Sequence, residues 1–282
     1  MNVIDLSQLP APNVVLPLDF EAVLRTLKGQ VLATLPQLAD VIDLESEPVN
    51  KVLQVIAYQH VNMQARINDA ARACMLAYAQ DNDLNHLSAL LGVERLPDEK
   101  DSRLRYRAQM ALEGETVAGS FASYKFHALS ASAQVKDASV DSPQPGTVRV
   151  TVLSAENDGS SSPALLQQVN AALSAEDVRP LCDTVQVCPA QILSYEIHAK
   201  LHVYPGPAAQ PLLQVAEQAL QTYITAHQQL GHDITLSGIY ACLHQPGVQR
   251  VELTAPAADI VVSPTQAAYC ASAVISLGGV SV

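Results

Sequence analysis

A short acidic stretch in the first third of the chain has the residue types that open a calcium-binding loop. Asp81, Asp83 and Asn85 stand at alternate positions, as oxygen ligands do at positions 1, 3 and 5 of such a loop. The loop also needs glycine at its sixth position and a bidentate glutamate at its twelfth. Those positions hold His86 and Gly92, so the pattern predicts no metal site. We expect Asp81 or Asp83 to cap a helix that ends at Gly92 instead.

The histidines and cysteines also lack the spacing of metal ligands. His198 and His202 are four residues apart in a stretch that alternates as a strand, which would place them about 13 Å apart. Cys182 and Cys188 are spaced too widely for a zinc knuckle. The five cysteines are odd in number and scattered, which argues against a disulfide framework. We expect neither a metal nor any other cofactor.

Motifs of common enzymes and phosphate-binding loops are absent from the sequence. It contains no G-x-x-x-x-G-K-S/T, no H-E-x-x-H and no G-x-S-x-G. The net charge of −12 over 282 residues argues against nucleic-acid binding, whose affinity comes largely from Lys and Arg. The first twenty residues have neither a basic start nor a long apolar run, so we expect no export signal and no membrane span.

The elements that position these residues begin with a proline-rich segment, which predicts an extended arm. Asp19 is expected to be the N-cap of a helix that runs through DFEAVLRTLKGQVLATL, which Pro36 limits. From Pro48 to Ala79 the chain then runs 32 residues without a glycine or a second proline. This run predicts one helix of roughly 48 Å.

The long predicted helix carries a heptad seam that only His60 interrupts with a polar side chain. The seam residues alternate four and three positions apart and are Val49, Leu53, Ile56, His60, Met63, Ile67, Ala70 and Cys74. Two interpretations stay open: the seam packs on Ala22–Leu35 of its own chain, or it joins helices of partner proteins. His60 either sets the register of partner helices or faces solvent.

After Gly119 the pattern changes to helices alternating with strands. We predict an α+β fold with an N-terminal helical region, 1–118, that holds the one long helix. Two loosely repeated units of ferredoxin-like or split βαβ type, with antiparallel strands, would follow at 119–205 and 206–282 and together form the oligomerisation region. The predicted repeat rests on an order of helix and paired strands in residues 120–154 that recurs in 237–277.

Taken in order, these segments resemble the baseplate J-like family of contractile phage tails and R-type tailocins. The stretches that carry the resemblance are ESEPVNKVLQVIAYQ, RINDAARACMLAYAQDNDLNHLSALLGVERL, AGSFASYKFHALSASAQVKDASVDSPQPGTVRVTVLS, VRPLCDTVQV, LGHDITLSGIYACL and GVQRVELTAPAADI. Together they cover most of the chain from about Asp19 onward. The chain departs from the family at Glu47, where Asp is common, at His60, where an acidic residue is common, and at Asn85, where a second Asp is common. Only the change at His60 bears on helix pairing.

The resemblance implies a structural wedge protein of a contractile injection machine, with no enzymatic activity and no cofactor. Its partners would be other wedge proteins, among them a tail protein I-like subunit and a small lysozyme-related subunit at the N-terminal helices. A second copy would contact the C-terminal α+β part, and linked wedges would close a ring around the hub. Sheath-proximal or hub proteins are further expected contacts. The chain would be made in the host cytoplasm and act in the assembled tail particle.

A different class of function is the alternative: an α+β hydrolase or a ligand-binding protein with a site between the C-terminal units. That function predicts titratable groups with shifted pKa values that meet in one cleft. A structural role predicts instead an apolar helix surface that the chain itself does not cover.

Overall fold

The computed structural model describes residues 4–116, 118–206 and 209–280. The chain divides into two compact units. The first extends to Arg95 and includes residues 100–109, and the second holds residues 96–99 and everything from Met110 onward. Residues 1–3, at the start of the predicted arm, lie outside the described part.

The first unit is helical. Its elements, in chain order, are a 3-10 turn at Leu6–Gln8, α1 at Phe20–Thr34, a second 3-10 turn at Pro36–Leu38, α2 at Pro48–Ala73, α3 at Asp81–Ala89 and the first nine residues of α4, which spans Asp101–Gly114. Asp19 caps α1 as predicted, since its Oδ1 accepts the N–H of Ala22 at 2.9 Å. The helix ends just before Pro36, also as predicted.

The long helix α2 is shorter than predicted. It has 26 residues and ends at Ala73, so the expected continuation to Ala79 is wrong. The guanidinium of Arg105 donates to the carbonyl oxygens of Leu76 and Ala79, in the segment that follows α2. A side chain of α4 therefore binds the main chain of the segment between α2 and α3.

The start of α3 also differs from the prediction. Neither Asp81 nor Asp83 caps it, because the residue in the cap position is Gln80, which makes no side-chain cap hydrogen bond. Both aspartates lie in the first turn, where the helix dipole favours negative charge. The predicted end is confirmed: Gly92 has φ of 70°, and the N–H of Val93 bonds to the carbonyl of Ser88 at 3.0 Å.

The second unit contains two three-stranded sheets. The first is built from α5 (Phe121–Ala131), β1 (Val135–Gln144), β2 (Thr147–Ser154), α6 (Pro163–Leu173) and β3 (Thr184–Pro189). Its strand order is β1-β2-β3, with β1 antiparallel and β3 parallel to β2. Helix α5 packs on β1 and α6 on β3. The parallel pairing follows from the α6 crossover between β2 and β3.

The second sheet has β4 at its centre. It is built from β4 (Gln191–Val203), α7 (Ala209–His227), α8 (Leu236–Leu243), β5 (Val248–Ala255) and β6 (Gln266–Val280). The order is β5-β4-β6, with β5 antiparallel and β6 parallel to β4. The inner face of β4 and both helices form one core cluster, whose fully buried members include Ile197, Leu201, Leu220, Ile239 and Leu243.

The α+β class and the helical N-terminal region are confirmed, but the strand pairing differs from the prediction. Each sheet has one parallel pair, whereas we expected antiparallel strands. The predicted repeat is not reproduced in the pairing, because β1 and β2 pair directly while β5 and β6 lie on opposite sides of β4. Strand β4, which the predicted boundary at residue 205 groups with the first sheet, pairs with strands of the second. The alternation within a strand shows which face is buried and not which strand lies beside it.

Neighbouring positions of α2 test the packing of the first unit. Leu53 is buried against α1, whereas Ile56 is 46% exposed. We expect Leu53→Ala to lower the free energy of unfolding by about 2–4 kcal/mol, because it leaves a cavity. Ile56→Ala is expected to change it by less than about 0.5 kcal/mol. Urea denaturation of the two variants, followed by circular dichroism, measures both values, and equal losses would contradict the assigned faces.

Candidate protein-interaction surface

The buried side of α2 packs against α1. Leu53 and Ala57 are buried in a cluster with Leu24 and Ile42, and Val49 is a half-buried neighbour of that cluster. This contact uses the first part of the predicted seam. The interpretation in which the seam packs on its own chain therefore holds for Val49 and Leu53.

The rest of the predicted seam is exposed to solvent. Ile56 is 46%, Met63 66% and Ile67 57% exposed, and Val52, in line with them, is 57% exposed. His60, Ala70 and Cys74 are exposed as well, and Cys74 lies just past the end of the helix. We call Val52, Ile56, Met63 and Ile67 the outer stripe. These four side chains recur every four or seven residues, so they follow one face of α2.

Two asparagines on the buried side of α2 were missed by the sequence analysis. The Nδ2 of Asn50 donates to the carbonyl of Leu44 at 3.0 Å. Asn68 binds both main-chain groups of Leu16, donating to its carbonyl at 2.8 Å and accepting its N–H at 3.1 Å. Buried polar side chains need such partners. A heptad pattern assigns polar residues to the solvent face, so it gave no signal for this role.

The paired bonds of Asn68 attach the N-terminal arm to the later turns of α2. Gln64 adds a bond to the carbonyl of Pro17 at 3.4 Å. Apolar side chains of the arm remain exposed, namely Ile4, Leu9, Val14, Leu16 and Leu18. A cleft of about 420 Å³ lies where arm and helix meet. The arm therefore adds apolar surface to the helix and leaves the outer stripe open.

The acidic stretch takes part in a hydrogen-bond network around Arg95. Arg95 donates to Asn85 at 2.6 Å and to Asp101 at 2.7 Å, and it also reaches the carbonyl of Asp81. The second carboxylate oxygen of Asp101 accepts the N–H of Asp81 at 2.9 Å, so Asp101 supplies the cap that α3 lacks locally. This hydrogen bond, followed by the Arg95 guanidinium, holds the pKa of Asp101 below its usual range.

The other side chains that could take part in catalysis or metal binding do not lie together in one site. On the outer face of the second sheet, His198 pairs with Glu196 at 3.2 Å and His202 with Glu252 at 3.3 Å. Within residues 4–116, 118–206 and 209–280, no group of three or more His, Cys, Asp or Glu side chains is placed to hold a metal ion. Burial raises the pKa of Cys242 to about 11, so this thiol stays protonated at neutral pH and packs as a core residue.

Three family models match the chain in succession. They are the baseplate J-like N-terminal domain over residues 45–97, the central domain over 116–189 and the C-terminal domain over 195–276. The chain is also 45% identical to baseplate protein J of Escherichia phage P2, over 99% of both chains. The chain belongs to the baseplate J-like family.

A solved structure shows a weaker similarity. A chain of the anti-feeding prophage baseplate aligns with a TM-score of 0.43 and 14% identity. The alignment covers 63% of this baseplate J-like chain and 43% of the other chain. No helix in the described part of the chain combines the length and the apolar character needed to cross a membrane.

The Asp101 network predicts a defined pH dependence. Because the folded-state pKa is lowered, the ionised carboxylate stabilises the fold above its unfolded pKa of about 3.9, and this contribution is lost as the pH falls through the folded value. We expect Asp101→Asn to cost about 1 kcal/mol of unfolding free energy at pH 7. The difference from the parent chain should shrink below about pH 4. Urea midpoints at the two pH values test this, and a constant difference would exclude the carboxylate as the cause.

Proposed function

We propose that this chain is a structural component of the baseplate of a contractile tail and that it binds other baseplate proteins through the outer stripe of α2. Membership of the baseplate J-like family supports the first part, together with the 45% identity to phage P2 baseplate protein J over nearly the full length. The exposed outer stripe supports the second part.

The single observation that carries the proposed interface is four large apolar side chains in water on one face of a helix. Fully burying an exposed side chain of this kind is worth roughly 1.5–3 kcal/mol, and these four are 46–66% exposed, so about half of that remains to be gained at each. An apolar patch of this kind on a monomer marks an interaction site. Recurrence along one helix face is the pattern by which a second helix packs. We therefore assign the seam residues Ile56, His60, Met63, Ile67 and Ala70 to contacts with partner helices.

The partners proposed for this surface are a tail protein I-like subunit and a small lysozyme-related wedge subunit. A second copy of the chain would bind at the α+β part, residues 119–282. Sheath-proximal or hub proteins complete the proposed contacts. Segregating helical and α+β contacts lets linked wedges form a ring whose interfaces can rearrange separately.

The proposed role involves no catalysis, nucleic acid or membrane. The baseplate J-like family is a structural phage component, which supports a non-enzymatic function. The net charge of −12 opposes binding to phosphate backbones. We propose that the chain is synthesised in the host cytoplasm and is then incorporated into the tail particle of a phage or a tailocin. The hydrolase or ligand-binding alternative draws no support from the family assignment.

Charged substitutions in the outer stripe test the proposed interface. Ile56→Asp and Ile67→Asp place a carboxylate where a partner helix would exclude water, so each is expected to abolish complex formation. Asn62→Asp is the control, because it adds the same charge to an exposed position on another face of the same helix. Each variant is co-expressed with the tail protein I-like subunit and the small lysozyme-related wedge subunit. Affinity capture and size-exclusion chromatography then measure whether a complex forms.

The control should bind like the parent chain. Binding by all three variants would exclude the outer stripe as the interface. Loss of binding in all three would indicate a general effect of charge on α2. Circular dichroism of each purified variant separates a lost interface from a lost fold.

A further inference from the structure

The two sheets present four edge strands, and three of them carry protection against pairing with other chains. β1 contains Lys136, Asp137 and Asp141. β3 has six residues and ends at Pro189. β5 has eight residues, with charges at Arg250 and Glu252. Short length, charge and proline are the usual means by which natural sheets keep an edge from adding a foreign strand.

Strand β6 has none of these three features. It runs 15 residues, and its sequence QAAYCASAVISLGGV holds no charged residue and no proline. It lies within the longest stretch of the chain without Asp, Glu, Lys or Arg, from Ile260 onward. An edge that is long and uncharged is a template for strand addition.

The outer side of β6 is open over a defined segment. One edge of β6 pairs with β4 along its full length. At the opposite edge, within the described residues, Gly231 bonds to Gln266 and Leu230 forms a bridge with Ala267, the first two positions of the strand. Register shifts flank the segment Ser272–Leu277, which pairs with six consecutive residues of β4. Within this segment Val274 is 51% and Leu277 40% exposed. The regular geometry between the two irregularities gives an added strand six residues to pair with.

We propose that this outer edge of β6 pairs antiparallel with the same edge of a second copy of the chain, around a two-fold axis within Ser272–Leu277. A second copy brings an identical open edge, and a two-fold contact closes without growing into a fibre. Each copy carries a net charge of −12, so two copies approach most easily where neither has carboxylates. Pairing of β6 with itself places no like charges opposite each other, because the strand has no charged residue.

This inference rests on the proposed function in one respect, since a second copy is among the proposed partners. It names the element that the second copy binds. It does not depend on the outer stripe of α2, because the two surfaces belong to different elements and different units.

Sedimentation velocity of the full chain over a range of concentrations tests the proposal. All proteins carry Ile56→Asp, so that the outer stripe contributes nothing to self-association. The parent in this background is expected to dimerise, and Val274→Lys or Ser276→Lys should weaken the dimer at least tenfold. Thr254→Lys adds the same charge to an exposed position of β5 and should leave the dimer unchanged.

Cysteine cross-linking supplies a second measurement that does not depend on destabilising the strand. Single cysteines are placed at each position of Ser272–Leu277 in a chain without its native cysteines. Antiparallel pairing predicts disulfide dimers at one or two positions nearest the axis, and a cysteine at Thr254 should give none. A chain that is monomeric at every concentration, or a dimer that cross-links nowhere in β6, would overturn the proposal.

A third outcome assigns the edge to another protein. If the chain alone is monomeric and hydrogen exchange of β6 slows only when another baseplate protein is added, a second copy is not the occupant. Failure here leaves the outer stripe untouched, since its test measures binding to partner subunits. Conversely, loss of partner binding in Ile56→Asp leaves the self-association measurement intact.

Discussion

The first unit is governed by a mismatch of helix lengths. α2 has 26 residues and α1 has 15, which correspond to roughly 39 Å and 22 Å of helix. α1 can therefore cover little more than half of α2, and it covers the half that contains Leu53 and Ala57. The later turns meet the extended arm through Asn68, and the arm is too thin to shelter another face. Within the described residues, Val52 and Ile56 of the outer stripe are exposed although their neighbours Leu53 and Ala57 pack on α1, so the stripe lies on a face of α2 that α1 does not cover.

Most helices and strands could be predicted from the sequence because their ends are marked locally. Asp19, Pro36 and Gly92 act within one or two turns of their own position, and the structure confirms all three. The errors share a different cause. Arg105 binds the carbonyls of Leu76 and Ala79, just after α2, from 29 and 26 residues away, and Asp101 caps α3 from twenty residues away. Long-range hydrogen bonds of this kind produce no periodic pattern in the sequence.

The interaction surface shows the same division between local and distant information. Heptad spacing identified the exposed positions Ile56, Met63 and Ile67, since an amphipathic pattern is a property of the helix itself. It could not tell that Val49 and Leu53 face α1 while Ile56 faces solvent, because this depends on the side of α2 on which α1 packs. Asn50 and Asn68 were missed for a related reason. Their main-chain partners lie in Leu44 and Leu16, outside the helix.

Charge is distributed unevenly over the chain, in a way that limits non-specific association and leaves two elements able to bind partners. The whole chain has a net charge of −12, yet α2 carries three basic residues, Lys51, Arg66 and Arg72, against one acidic residue, Asp69, for a net charge of +2. β6 carries no charge at all. Carboxylates elsewhere repel other copies and limit non-specific association, whereas α2 and β6 carry no net negative charge. We therefore expect a partner of α2 to bind more tightly if it carries carboxylates beside its apolar face. A surface that pairs with β6 needs no charged residues.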